Sequence, residues 1–270
     1  MEIRTLTAAD LPACSDLAES RSWPREPPKW RLLHETGTLF GIDAPDGPGL
    51  AASAALVVFG SVVFGSVALG SVASISMVLV APRHGRRGLG RAITERAVAA
   101  AGDRVVWLHA STLGRPLYES MGFVADGGCR GHVGRFADDG GPGASPGSLA
   151  EVLPLDLAAH GVDRRPFLAR LGTPFVVDGG FAFGTDIGHV TVIGPVVARS
   201  VEQAKALIRG VARTVPGEVR VDPDFRFPSL AGWLEERGLV PGPLAPRLVL
   251  GGRSLPGDSS MRFAPFTRAV

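Results

Sequence analysis

Residues 77–93 read Met77-Val-Leu-Val-Ala-Pro-Arg-His-Gly-Arg-Arg-Gly-Leu-Gly-Arg-Ala-Ile93, and residues 117–123 read Leu117-Tyr-Glu-Ser-Met-Gly-Phe123. The first stretch is an apolar run, a proline, and a loop of glycines and arginines that opens into a helical pattern. A loop at a helix N-terminus offers backbone N–H groups without intrahelical acceptors, together with a partial positive charge. Such a site suits a pyrophosphate. Gly88 and Gly90 let the backbone approach closely, and Arg86, Arg87 and Arg91 are able to add charge-assisted hydrogen bonds. In the second stretch Tyr118, the only tyrosine of the chain, lies on a short predicted helix that stops at Gly122.

Working outward, the chain from Leu50 to Val80 carries no charged residue, which on hydropathy alone is long enough for a membrane helix. Within it Gly60-Ser61-Val62, Gly65-Ser66-Val67 and Gly70-Ser71-Val72 recur every five residues. That period gives a helix no consistent face. It reads instead as buried antiparallel strands, Leu50–Phe59, Val62–Leu69 and Val72–Val80, joined by Gly-Ser turns. Before this meander the pattern predicts a strand over Glu2–Thr5, a helix from Thr7 with Asp10 as its cap partner, a second helix over Pro28–Glu35 and a strand over Leu39–Ile42. After it come a helix over Leu89–Ala101 stopped by Gly102, a strand over Arg104–Ala110, the Tyr118 helix, and strands over Phe123–Val124 and His132–Phe136.

The order and content of the two quoted segments resemble motifs of the GNAT superfamily of acyl-CoA-dependent N-acetyltransferases. There the loop has the form Arg/Gln-x-x-Gly-x-Gly/Ala and the later helix reads Leu-Tyr-x-x-x-Gly-Phe. Gly85 stands where Arg or Gln is usual, which removes one side-chain tether and keeps the backbone donors. The resemblance implies an α/β fold of the mixed-sheet, α+β kind. It also implies that acetyl-CoA is a co-substrate attacked directly by an amine, with no covalent enzyme intermediate and no metal.

Carried over by position, the main chain of Val78, Leu79 and Val80 would pair with the pantetheine arm as a sheet edge pairs with a peptide. A backbone N–H there would hold the thioester oxygen, and a bulge would splay this strand from Arg104–Ala110. Gly85, Arg86, Arg87, Gly88, Leu89, Gly90 and Arg91 would wrap the pyrophosphate. Tyr118 would donate a proton or hydrogen bond to the departing sulfur, and Ser111 would replace part of an asparagine contact near the pantetheine. The Val72–Val80 strand lacks the glutamate that often serves relatives as base. His109 is the candidate general base, acting directly or through water, with His34 and Glu35 behind it. Trp23 and Trp30 follow the first helix, where relatives bind the acceptor; as pocket walls they compete with a core role.

Residues 138–148 (Asp-Asp-Gly-Gly-Pro-Gly-Ala-Ser-Pro-Gly-Ser) read as a linker. It divides a first GNAT domain, 1–137, from a second unit, 149–270. In the second unit Phe175–Phe183, Val190–Val197, Val219–Val221 and Leu248–Leu250 read as strands. Helices are predicted from Ser200, with Gln203 completing a capping box, and over Leu230–Arg237. That order repeats the second half of the first unit without a phosphate loop, because Val197-Ala198-Arg199-Ser200 passes straight from strand to helix. The whole chain is similar to a bacterial GNAT subgroup with one active lobe and one degenerate lobe that does not bind CoA. Asp222, Asp224, Phe225 and Phe227 form an acidic–aromatic cluster that suits an ammonium group or is a solvated loop.

The 270 residues, 45% of them hydrophobic, are enough to bury a core, more readily as two modest units than one. A formal charge of +2 calls for no polyanionic partner such as nucleic acid. Lysine occurs only at Lys29 and Lys205 beside 36 glycines and 22 prolines, the composition of a high-GC bacterial genome. Cys14 and Cys129 make neither a disulfide framework nor a metal site. The N-terminus does not read as a signal peptide, so a cytoplasmic location is expected. The reading is an N-acetyltransferase acting on a primary amine of a small molecule, without a membrane or nucleic-acid partner and with oligomerisation left open. Its rivals are a peptide or protein N-acetyltransferase, a non-catalytic acyl-CoA sensor, and a membrane-anchored protein.

Overall fold

The computed structural model describes residues 2–60, 63–64, 67–68 and 71–268. Both halves of the chain contribute to one sheet, which among the described residues has 13 strands. The first half supplies β1 (Arg4–Thr5), β2 (Thr38–Asp43) and β3 (Leu50–Phe59), a two-stranded hairpin of β4 (Val63–Phe64) and β5 (Val67–Ala68) outside the main sheet, β6 (Val72–Val80), β7 (Val105–His109) and β8 (Phe123–Gly134). Its helices are α1 (Leu11–Glu19), α2 (Pro27–Thr36), α3 (Leu89–Ala101) and α4 (Arg115–Glu119). The expected strand over Val62–Leu69 is thus a hairpin where it is described, and its remaining positions lie outside the described residues.

The charge-free run is explained by what covers it. In β3 every residue except Val58 is buried, because the strand is covered on both faces. Leu17, Trp30 and Leu33 of α1 and α2 pack on one face with Ala55 and Val57. Leu89, Ile93 and Ala97 of α3 pack on the other with Ala52, Ala54 and Ile75. A strand buried on both faces has no use for polar alternation. Among the described residues no helix is long and apolar enough to cross a membrane.

The second half adds β9 (Ser145–Pro146), α5 (Leu149–His160), α6 (Arg165–Leu168), β10 (Pro174–Val177), β11 (Gly180–Asp186), β12 (Thr191–Val197), α7 (Val201–Ala212), β13 (Val219–Val221), α8 (Pro228–Glu236), β14 (Val240–Leu250) and β15 (Arg262–Ala264). Sequence reading gave no helix at 149–160. Ser148 nevertheless caps it, its hydroxyl and amide both engaging Glu151, and Gly161 ends it at φ +66°.

The halves interlock. The strand order is β1-β2-β3-β6-β7-β14-β8-β13-β12-β11-β10-β9. β14, from the second half, is inserted between β7 and β8 of the first, with Leu248 opposite both Leu108 and Ala125. β8 in turn runs on to pair with β13, Val221 opposite His132. The two closing strands expected over 123–124 and 132–136 are therefore one continuous strand. It bends at Gly127 and Gly128, both at positive φ, and a Cβ at Gly128 would sit 2.6 Å from the Ala245 carbonyl oxygen. One core cluster also spans both halves, joining Leu17, Trp30 and Phe59 to Val152, Phe167 and Phe183. The 138–148 stretch is held along the second half by two bidentate pairs, Asp138 with Arg213 and Asp139 with Arg209.

Candidate active site

The site begins with an irregularity in β6. Ser53 of β3 lies opposite Leu79, yet Ala55 lies opposite Ser76, so β6 carries one extra residue across this interval. Met77 absorbs it at φ +49°, and the buried Ser53 hydroxyl donates to the Met77 carbonyl at 3.0 Å. The bulge turns β6 away from β7. The two strands pair in parallel only at Val72–Ser74 with Val105–Trp107. Beyond that point the β6 edge that carries Val78, Leu79 and Val80 has no strand partner on the β7 side among the described residues. The opening that the sequence suggested between these strands is present.

Where β6 ends, a 3₁₀ turn (Pro82–His84) leads into the glycine loop. Arg86 lies at φ +61° and Gly88 at φ +76°, and Gly88 is the N-cap of α3. Among the described residues, no acceptor within the chain takes the N–H groups from Arg86 through Arg91; the first helical bond runs from the Ala92 amide to the Gly88 carbonyl. Six donors thus lie in the loop and first turn at one helix terminus, the setting of an anion site. Arg83 pairs with Asp46, and Arg91 reaches the Ser120 hydroxyl at 2.6 Å. Arg86 and Arg87 are exposed and engage no carboxylate among the described residues, so both are available to phosphates. Gly85, at φ −59°, has a backbone any residue adopts; its missing side chain removes a tether without altering the loop's path. Gly90 packs where α3, β6 and α4 meet, since a Cβ there would lie 3.3 Å from Leu117 and 3.6 Å from Val80.

That contact sets α4, and with it Tyr118, beside the loop. Tyr118 is buried against Phe123 at a ring distance of 6.0 Å, and its hydroxyl makes no hydrogen bond within the chain among the described residues. Burial pushes its pKa up to about 12. A phenol this weakly acidic does not hand its proton outright to a thiolate whose acid form titrates near ~8.5; the direction favours a hydrogen bond to the sulfur. Ser111 lies exposed two residues beyond β7, where its hydroxyl accepts from the Gly114 amide at 3.1 Å and shapes the turn into α4.

His109 ends β7, level with Ser76 across the split when the parallel register is extended by two residues. Its ring stands edge-on to Trp107 at 5.3 Å, and its buried Nδ1 has no partner. Burial, and then the nearby Arg247 charge, lower its pKa to about 4, so the imidazole is neutral at pH 7, a hydrogen-bond acceptor and a weak base. The Ser76 hydroxyl is also buried and unpartnered.

Trp107 and His109 face a cavity with about 690 Å³ of free space, mouth included, at the junction of the two halves. Phe59 and Val72 line it from the first half, and Val197, Leu255 and Arg262 from the second. Sequence reading did not find this cavity's arginines, because the residues lie far apart along the chain and meet only through the strand exchange. Asp224, singled out in the sequence, does line it. However, the carboxylates of the acidic–aromatic cluster are occupied: Asp222 by Arg220 and Asp224 by Arg226, both bidentate. Phe225 is exposed, and Phe227 stacks on Phe263 at 3.9 Å. The cluster is an ion-pair network rather than a free ammonium cage.

The remaining candidates lie elsewhere. Trp30 is fully buried in the core shared by the halves, and Trp23 is 41% exposed on the turn after α1; neither lines the cavity. Glu35 accepts from Arg170 at the surface, in the groove between α1 and α2 where His34 also lies.

The second half repeats the bulged geometry and closes it. Ala182 of β11 lies opposite Val196 and Gly184 opposite Ile193, the same one-residue excess as in β6. β12 and β13 likewise pair only at their start. Here the opening is filled by β15, which pairs with β12, while the Asp224 amide donates to the Phe263 carbonyl. The α7 terminus has no free anion loop: the Ser200 hydroxyl takes the Gln203 amide, and Gln203 Oε1 takes the Arg199 amide.

Comparison with known proteins agrees with this geometry. A GNAT acetyltransferase domain model matches residues 51–132, and a second GNAT acetyltransferase domain model matches residues 152–264. No curated protein matches the chain. Among solved structures, a protein of Pyrococcus horikoshii assigned as an acetyltransferase superposes with a TM-score of 0.81 at 17% identity, over 99% of this chain and 95% of its own. A GCN5-related N-acetyltransferase from Sphaerobacter thermophilus gives 0.57 at 19% identity, over 96% and 98%. A tandem GNAT protein from the clavulanic acid biosynthesis pathway gives 0.58 at 16% identity, over 94% and 99%. With both halves matched by models of one family and the paired-lobe fold shared end to end, the chain belongs to the GNAT acetyltransferase family as a tandem, two-lobed member.

Proposed function

We propose that the chain is an acetyl-CoA-dependent N-acetyltransferase that acetylates the primary amine of a small molecule, with one working lobe. The observation that carries this reading is the coincidence, in the first half only, of an open β6 edge with six acceptor-free N–H groups at the α3 terminus. The edge fits an amide-bearing pantetheine arm, and the terminus with Arg86 and Arg87 fits the pyrophosphate.

In this reading the acceptor amine sits in the cavity below His109. The amine nitrogen attacks the thioester carbonyl carbon, the new C–N bond forms, and the C–S bond breaks to release CoA. A β6 amide beside the bulge donates to the carbonyl oxygen as charge develops. Tyr118 donates a hydrogen bond to the leaving sulfur. A largely apolar cavity lowers the pKa of an entering ammonium, so the amine attacks in its neutral form. Neutral His109 orients it by accepting a hydrogen bond, directly or through water, and the proton shed as the C–N bond forms passes on to water. The enclosing second half favours a small acceptor over a peptide chain, which needs an open groove.

The test is thermal unfolding with acetyl-CoA, followed by thiol release with a panel of amines. At a hundredfold excess over Kd, binding adds about 2.7 kcal/mol, a rise of roughly 5 °C for a chain of this size. Tyr118→Phe is expected to lower kcat by about tenfold or more while leaving the acetyl-CoA shift intact. A missing shift in the unmodified protein rejects the acetyl-CoA reading. Equal loss of binding and turnover in Tyr118→Phe rejects the role given to the phenol.

A further inference from the structure

Three arginines line the cavity between the halves, and two of them have their own aspartate. Arg164 is bidentate to the buried Asp156, and Arg247 reaches Asp126 at 3.1 Å; Asp224, which also lines the cavity, is taken by Arg226 from outside it. Arg262 makes no ion pair among the described residues, although it lies within the field of Asp126. Among the described residues its guanidinium makes one hydrogen bond, from Nη2 to the Pro256 carbonyl at 3.0 Å, and its Nε is buried without a partner. Asp258, which feels the Arg262 charge, is engaged in capping the Ser260 turn and makes no ion pair with it.

A largely buried guanidinium without a counter-charge is costly, because desolvation is uncompensated and a donor is left unmade. Arg262 is positioned by β15, the strand that fills the second half's opening, opposite Val197 of β12. It lines the same cavity as His109, whose Nδ1 is also unpartnered. The cavity thus presents the N–H groups of Arg262 that Pro256 does not take, together with the free ring nitrogen of His109, beside the paired Arg164, Arg247 and Asp224 and among apolar walls formed by Phe59, Val72, Trp107 and Leu255.

Resting on the reading of this cavity as the acceptor site, we propose that the acceptor is a carboxylate-bearing amine, of the class of apolar α-amino acids, whose carboxylate pairs with Arg262. A carboxylate supplies the missing counter-charge and accepts two parallel N–H bonds from a guanidinium. The apolar walls take up the acceptor's side chain. Decarboxylated amines and polyamines lack the group that Arg262 requires and add positive charge beside it.

The test measures binding to the full chain by isothermal titration. L-leucine, L-methionine and L-phenylalanine are compared with isoamylamine, 3-(methylthio)propylamine and phenethylamine, the same molecules without the carboxylate. At least one amino acid is expected to bind about tenfold or more tightly than its decarboxylated partner. That ratio should fall to near one in Arg262→Met and recover partly in Arg262→Lys, with both variants keeping the acetyl-CoA thermal shift as proof of folding. If Arg262→Met does not fold, the Arg262→Lys ratio alone decides: an unchanged ratio overturns the proposal and a reduced one supports it. Equal binding within every pair, no binding of any amino acid, or an undiminished ratio in a folded Arg262→Met overturns the proposal. Thiol release is read separately. Arg262-dependent amino-acid binding without transfer from acetyl-CoA would reject the acetyltransferase reading and leave the carboxylate site standing.

Discussion

At the scale of single residues, the junction between the halves is held by titratable groups whose charges depend on being buried. Asp156, held by Arg164 and His160, has its pKa pushed far below the carboxylate range by these partners, against the opposing effect of burial. His160 faces Arg164, Asp156 and Arg262, and burial lowers its pKa from 6.5 to about 4. His109 faces Arg247, Asp222 and Arg268 and is lowered to about 4 in the same way. For both histidines the folded state binds its proton less readily than the unfolded chain. Their contribution is therefore complete above about pH 6.5 and is lost as pH falls towards 4. Asp156 contributes above the ordinary carboxylate pKa of ~3.9 and its share is lost below that. The melting temperature is accordingly expected to be flat above pH 7, to decline from about pH 6.5 and to drop steeply below 4. His160→Gln should flatten the upper part of that decline; an unchanged slope would show that His160 titrates alike in the folded and unfolded chain. Asp156→Asn should cost about 3–5 kcal/mol, because it leaves the buried Arg164 without its counter-charge, and urea unfolding measures this directly.

At the scale of elements, the decisive feature is the bulge in β6, and its chemistry is local. A positive φ at Met77 is tolerated by an unbranched side chain but not by a β-branched one. Met77→Ile is expected to destabilise the fold by about 1–3 kcal/mol and to weaken acetyl-CoA binding as the strand straightens toward β7. Denaturant midpoints and an acetyl-CoA titration check the two effects, and unchanged affinity would mean that the bulge does not set the opening. The elements also differ in how far the sequence revealed them. Leu89–Ala101 and Val72–Val80 are found with the bounds read from the sequence, because each carries its own signal: a helical apolar stripe with a glycine stop, and an apolar run ended by a proline. α5 went unread despite its Ser148–Glu151 capping box. Pro154 interrupts its pattern, and its apolar residues face two neighbours at once, so no single stripe stands out.

At the scale of the whole molecule, the exchange of β14 makes the halves depend on each other. Without the second half, β7 and β8 of the first lose the strand that lies between them, and two long edges stand open to aggregation. A fragment of residues 1–137 is therefore expected to be insoluble or unfolded, and the full chain to unfold in a single cooperative transition by calorimetry. A soluble fragment with native circular dichroism, or two separate transitions in the full chain, would contradict this. The repeat of the bulge in β12, filled by β15, gives the second half its structural role: β15 closes the second half's own opening and carries Arg262 to the cavity between the halves.

The sequence by itself determined the parts of this protein whose physics is local. These are the acceptor-free glycine loop at a helix terminus, the tyrosine helix, the buried strands of the charge-free run and the missing loop of the second half, each written in a few adjacent residues. The tertiary structure alone decided what depends on distant residues meeting. Strand exchange sets His109 and Trp107 against Arg247 and Arg262. Pairing consumes the carboxylates of Asp222 and Asp224, and packing draws Trp30 into the core. An ion pair or a sheet edge is a property of two segments at once, and the spacing of residues along one segment carries no record of which partner will reach it.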